Sequence, residues 1–149
     1  MSVTKIETAF WDTSALVPLA CAQGVYTVAA RKLARKFRRK IAWWATSVEA
    51  NSSLQRLYGE DELNAAQLAT AMRDWEIVER SLLVIDPTER LRGLATTFPA
   101  AYDLRALDAL QLAAAVVWCN EKPRRRPFVC FDKRLAEAAR KAGFTIHTS

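Results

Sequence analysis

Five short runs rich in apolar residues alternate with longer stretches of helical periodicity, and this alternation narrows the fold more than any other feature of the chain. The runs are Ile6–Trp11, Ile41–Ala45, Leu82–Ile85, Phe128–Phe131 and Phe144–His147. Runs this short, between stretches of a different period, read as strands, the first of them buried and the last an edge strand. Between them lie helical segments: from Ser14 to about Ala22, on to about Arg39, from about Ser47 to Tyr58, from a cap at Asp61 or a neighbour to about Arg80, from Asp86-Pro87 onward, from Leu104 to Asn120 after a loop at Phe98–Asp103, and from Lys133 to Ala142. Strand and helix in alternation predict an α/β fold. The expectation is a three-layer α/β/α sandwich around a mostly parallel sheet of four to five short strands. No repeat, low-complexity tract or long linker divides the chain, so residues 1–149 are read as a single domain.

Composition excludes several function classes. No stretch approaches the roughly 18 apolar residues of a membrane span, and the first ten residues lack the apolar core of a signal peptide. A cytoplasmic protein is expected. Cys21, Cys119 and Cys130 are odd in number and widely spaced in apolar surroundings, which suits buried free thiols rather than zinc. The single histidine, His147, removes a two-histidine ribonuclease mechanism. The net charge of +6 suits a polyanionic or acidic partner.

In an open parallel sheet, ligands bind beyond the carboxyl ends of the strands. Asp12 ends the first run, Glu49 follows the second, Asp132 ends the fourth, and Asp108 interrupts the apolar segment RALDALQLAAA. Four carboxylates meeting on one rim would repel one another unless a divalent cation neutralised them, and all-oxygen ligands suit Mg²⁺ or Mn²⁺. Thr13 and Ser14 would support the turn after Asp12. Each acid also has a purely structural reading. Thr46-x-x-Glu49 is a capping box, Asp132 an N-cap, Asp108 a helix partner of Arg105, and Asp12 an Asx-turn residue. Asp86, in Asp-Pro-Thr-Glu, is read as a helix start alone.

The segments WDTSALVPL at 11–19, SVEA at 47–50, LRALDALQLAAA at 104–115 and FVCFDKRLAEAARKAGF at 128–144 together resemble the PIN-domain family, and within it the VapC-like toxins. The resemblance spans the chain and carries the four acids over as Asp12, Glu49, Asp108 and Asp132. It implies a PIN-like sheet between helix layers and a Mg²⁺- or Mn²⁺-dependent endoribonuclease leaving a 5′-phosphate and a 3′-hydroxyl. It also implies a homodimer and a VapB-like antitoxin partner of a toxin–antitoxin pair. Cys130 stands where many relatives carry Thr or Ser, and ACAQG lacks an acid that many have there.

With no usable histidine, a bound ion would have to activate water and relieve charge at phosphorus. Asp12 and Asp108 are expected to hold the main ion, with Glu49 and Asp132 holding its waters or a second ion. RKLARKFRRK at 31–40, with Arg35, Arg38 and Arg39, is expected to form a basic helix face for RNA or antitoxin. Arg124, Arg125, Arg126, Lys133 and Arg134 would add to it, the last two beside the site. One of Trp43 and Trp44 is expected to face outward. The competing expectation is a non-catalytic RNA-binding or protein-interaction module on the same fold.

Overall fold

The computed structural model describes residues 5–149; residues 1–4, part of the segment read as lacking an apolar leader, lie outside the described residues. In chain order the elements are β1 (Thr8–Trp11), α1 (Thr13–Ala20), α2 (Thr27–Lys36), β2 (Arg39–Trp43), α3 (Thr46–Gly59), α4 (Ala65–Arg80), β3 (Leu82–Ile85), α5 (Glu89–Tyr102), α6 (Ala106–Trp118), β4 (Pro127–Val129), α7 (Lys133–Ala142) and β5 (Thr145–His147).

The strands form one sheet in the order β3-β2-β1-β4-β5, every pair parallel. Side chains of a strand point alternately to opposite faces, and the sequence uses both faces for apolar residues. Phe10, Ile41, Trp43 and Phe128 pack with Leu91, Leu112 and Leu135, from α5, α6 and α7. Ala9, Trp11, Ala42 and Val129 pack with Leu16, Leu33, Leu54 and Trp75, from α1 to α4. Helices therefore cover both faces, and the fold is the three-layer α/β/α sandwich expected, with five strands. Central β1 is apolar on both sides because both sides are covered. β3 is an edge, and its Leu83 and Val84 are exposed.

From β1 the chain steps outward to β2 and β3, then crosses back to lay β4 and β5 on the other side. The reversal lies between β1 and β4. At such a switch point the flanking connections diverge and leave a crevice at the carboxyl ends.

Several boundaries differ from the sequence expectation. The segment 31–40 is not one helix: α2 ends at Lys36, Phe37 caps it, and Arg39 opens β2. Arg39, Lys40 and Ile41 register against Thr8, Ala9 and Phe10. Strand pairing overrides the local helical pattern there. Asn64, not Asp61, caps α4, in a reciprocal box with Gln67. Thr88 caps α5 by accepting from the Leu91 N–H at 3.1 Å, so Asp86-Pro87 precedes the helix instead of starting it. The loop expected at Phe98–Asp103 is helical through Tyr102 despite Pro99. Phe98 is buried and its ring lies 5.3 Å from that of Tyr102, one turn on. α6 is shorter than expected at both ends, and β4 ends at Val129.

The three cysteines are buried free thiols. Trp43, the last residue of β2, is buried, and Trp44, in the turn that follows, is exposed, so one of the two faces outward as expected. Among the described residues no helix is long and apolar enough to cross a membrane.

Candidate active site

β1 stops at Trp11 because the next residue turns the chain into a helix. Asp12 has extended backbone angles and caps α1, its Oδ2 accepting from the Ser14 N–H at 3.2 Å. The same carboxylate accepts from the Ser14 hydroxyl at 2.8 Å through Oδ1. That hydroxyl in turn accepts from the backbone N–H groups of Phe131 at 2.9 Å and Asp132 at 3.2 Å, just beyond β4. One serine thus ties the tip of β1 to the tip of β4 across the switch point. Cys130 joins it, 3.8 Å from the Ser14 oxygen and donating to the Asp132 carbonyl at 3.3 Å.

Asp132 caps α7, its Oδ1 accepting from the Leu135 N–H at 3.0 Å. Its capping role and a place in the site coexist, because only one oxygen serves the helix. Glu49 lies in the first turn of α3 but is no cap partner: the N-cap is Ala45, with no side-chain bond. The capping-box reading of Thr46-x-x-Glu49 is therefore wrong. Thr46 is buried, and its hydroxyl accepts from Gln111 Nε2 at 3.1 Å. Asp108 sits in the first turn of α6, half-buried, with no ion pair to Arg105 among the described residues.

Gln111 organises the remaining contacts. It is 1% exposed, on the same face of α6 as Asp108 and one turn further on. Its Nε2 lies 3.0 Å from Thr13 Oγ1 and 3.2 Å from Glu49 Oε1, besides Thr46. Thr13 then donates to Glu49 Oε2 at 3.4 Å. The Gln111 side-chain oxygen is buried without a partner. Sequence reading passed over Gln111; the signal for it is a polar residue three places after Asp108 in an otherwise apolar segment.

All four acids, with Thr13, Ser14 and Gln111, line one cavity of about 360 Å³ at the carboxyl ends of β1 and β4. Asp86 does not line it. Their electrostatics are coupled. Burial, then the charge of Asp132, pushes Asp12 up to about 7, against the opposing hydrogen bonds from Ser14. Burial raises Glu49, with Asp108 adding to it, and burial and then Asp132 raise Asp108, eased by Arg134. This is a run of like charges with little compensating cation.

The donors are all oxygen, which fits a hard divalent ion, and burying Asp12 without a cation is costly. The carboxylates of Asp12, Glu49 and Asp132, however, accept from protein donors. Among the described residues no group of three or more potential ligands is already gathered to hold a metal.

The basic residues divide between two places. Lys133 and Arg134 open α7 beside the acids, Arg134 pairing with Asp103 at 3.1 Å. Arg35 is in the last turn of α2, and Arg38 follows that helix. Arg39, Arg125 and Arg126 lie at the opposite end of the sheet, where strands begin, around a separate cavity of about 560 Å³. Arg124 precedes them, and Arg126 stacks on Trp118 at 4.3 Å. The basic helix face expected over residues 31–40 is helical only through Lys36, because residues 37–40 leave the helix for β2. His147 packs edge-on against Phe37, and its carbonyl accepts from the Cys130 N–H beyond β4.

A scan against models of protein families and a search of curated proteins both find no match. Among solved structures the chain is similar to PAE2754 from Pyrobaculum aerophilum. The two share 20% identity over 97% of this chain and 92% of that one, with a TM-score of 0.64. At that identity the likeness concerns the fold.

Proposed function

We propose that the chain is a Mg²⁺- or Mn²⁺-dependent endoribonuclease of the PIN type, acting in the cytoplasm as the VapC-like toxin of a toxin–antitoxin pair. The observation that carries this reading is a single cavity lined by Asp12, Glu49, Asp108 and Asp132, drawn from four separate elements. A purely structural use of these acids gives no reason for all four to face one solvent-open space.

Asp12 and Asp108 would hold the ion, with Glu49 and Asp132 on its waters. The ion would supply charge relief at phosphorus and a water more acidic than bulk water. The chain's own residues do the rest. Ser14 fixes the Asp12 carboxylate relative to β4, and Gln111 with Thr13 fixes that of Glu49. Burial makes the Glu49 carboxylate more basic than an exposed one. A VapB-like antitoxin and a second copy of the chain are the partners this reading implies.

A non-catalytic RNA-binding or interaction module on the same fold is the second reading. It is favoured by the absence, among the described residues, of a ready three-ligand group.

Incubation of purified protein with a cellular RNA pool, in Mg²⁺, Mn²⁺ or EDTA, separates the two. Discrete fragments that require the metal and vanish in Asp12→Asn are expected. RNA retained without cleavage in any metal would establish the second reading.

A further inference from the structure

The acid-lined cavity is larger than its floor. It continues between α1 and α3, with Val17 and Cys21 on one wall and Ser53 and Leu57 on the other. Arg56 lines the same cavity. Glu49, Ser53 and Arg56 are spaced by four and three residues, so they share one face of α3. Seven residues of helix carry Arg56 about 10 Å along the axis from Glu49. Among the described residues the Arg56 guanidinium makes no hydrogen bond or ion pair, although four carboxylates line the same cavity.

Arg134 is taken up by Asp103, whereas Arg56 presents a fork of donors to open space. A guanidinium fork matches two oxygens of a phosphate. The apolar walls between it and the acids suit a flat, weakly polar group rather than a second ion.

We infer that the α1–α3 arm is a nucleotide subsite for single-stranded RNA. In it Arg56 grips the phosphate next to the one at the acids, and Val17, Cys21 and Leu57 enclose the intervening base. The inference rests on the ribonuclease reading for its substrate class, and it names a residue that reading does not use. The arm gives the strand a fixed position at its neighbour, so that the acids meet one phosphate and not several.

The test is equilibrium binding of a short fluorescein-labelled single-stranded RNA of mixed sequence, by anisotropy, across a range of KCl concentrations. Asp12→Asn serves as the uncleaving background, alone and with Arg56→Ala, Arg56→Lys or Arg92→Ala. Arg92 lies on α5, on the other face of the sheet, in a local pair with Glu89. Arg56→Ala is expected to bind about ten-fold more weakly. The slope of log affinity against log salt should also fall by about 0.7, as expected for one lost single-strand phosphate contact. Arg56→Lys should recover the slope but only part of the affinity, since a point charge replaces a fork. Arg92→Ala should change neither. An unchanged slope in Arg56→Ala, or an equal loss in Arg92→Ala, would overturn the subsite. Failure of wild type to cleave, with the Arg56-dependent slope intact, would refute the ribonuclease reading and keep the subsite.

Discussion

Asp12 sets the energetic character of the site. It is 4% exposed, and its carboxyl is pushed from an ordinary 3.8 to about 7. An acid raised in this way favours the folded state most below its unfolded pKa, and the contribution is lost as pH rises through the folded value. The window for Asp12 runs from about 3.8 to about 7. Glu49 and Asp108 shift in the same direction. Asp12→Asn keeps the shape without the charge, so thermal unfolding without metal should find it more stable than wild type above pH 7. A gain of roughly 1–4 kcal/mol is expected. The gap should close toward pH 4, and a constant gap across the series would show that charge is not its cause. At this scale the sequence was informative in a particular way. Asp12, Glu49 and Asp132 were visible because each follows a strand, and Asp108 because it breaks an apolar run. Gln111 was not, because a buried amide bridging Thr13, Thr46 and Glu49 depends on three elements meeting. Arg56 was passed over although its spacing puts it on the Glu49 face of α3; the apolar walls between the two exist only once α1 packs on α3.

Elements were legible where local chemistry and tertiary demand agree. α7 was read correctly at both ends, because Asp132 caps its start and Gly143 its end. Gly143 has φ of +119°, and a Cβ there would lie 3.1 Å from Pro123 Cγ. Gly143→Ala should therefore cost about 1–3 kcal/mol. Gly93→Ala, inside α5 and facing open space, should stabilise by about 0.5–1 kcal/mol. Chemical denaturation of both distinguishes a required backbone conformation from ordinary helix propensity. Where local and tertiary demands conflict, the sequence misled. RKLARKFRRK is helical by pattern, yet its last residues complete the pairing of β2 with β1. Pro99 signals a break, yet Phe98 and Tyr102 hold the helix through it by packing.

At the scale of the whole molecule, the covered parallel sheet turns scattered acids into one site. β1 and β4 supply Asp12 and Asp132, while α3 and α6 swing Glu49 and Asp108 over the gap. A ligand that neutralises this cavity should stabilise the entire fold by mass action. Saturating Mg²⁺ or Mn²⁺, at 100 times its dissociation constant, is expected to add about 3 kcal/mol. Differential scanning fluorimetry would read this as a rise in midpoint, absent in Asp12→Asn and reversed by EDTA; an equal rise in both proteins would place the ion elsewhere. The strand order has one more consequence. β1 occupies the middle of the sheet, yet its partner β4 comes more than a hundred residues later, with Phe10 set against Phe128. A ribosome-bound chain that has not yet delivered that stretch already carries Asp12, Glu49 and Asp108. It has no β4 beside β1, no Asp132, and no Phe131 amide for Ser14 to accept. The cavity is finished only once that stretch has been made, so a chain paused before it carries three of the four acids and an open seam where β4 will sit.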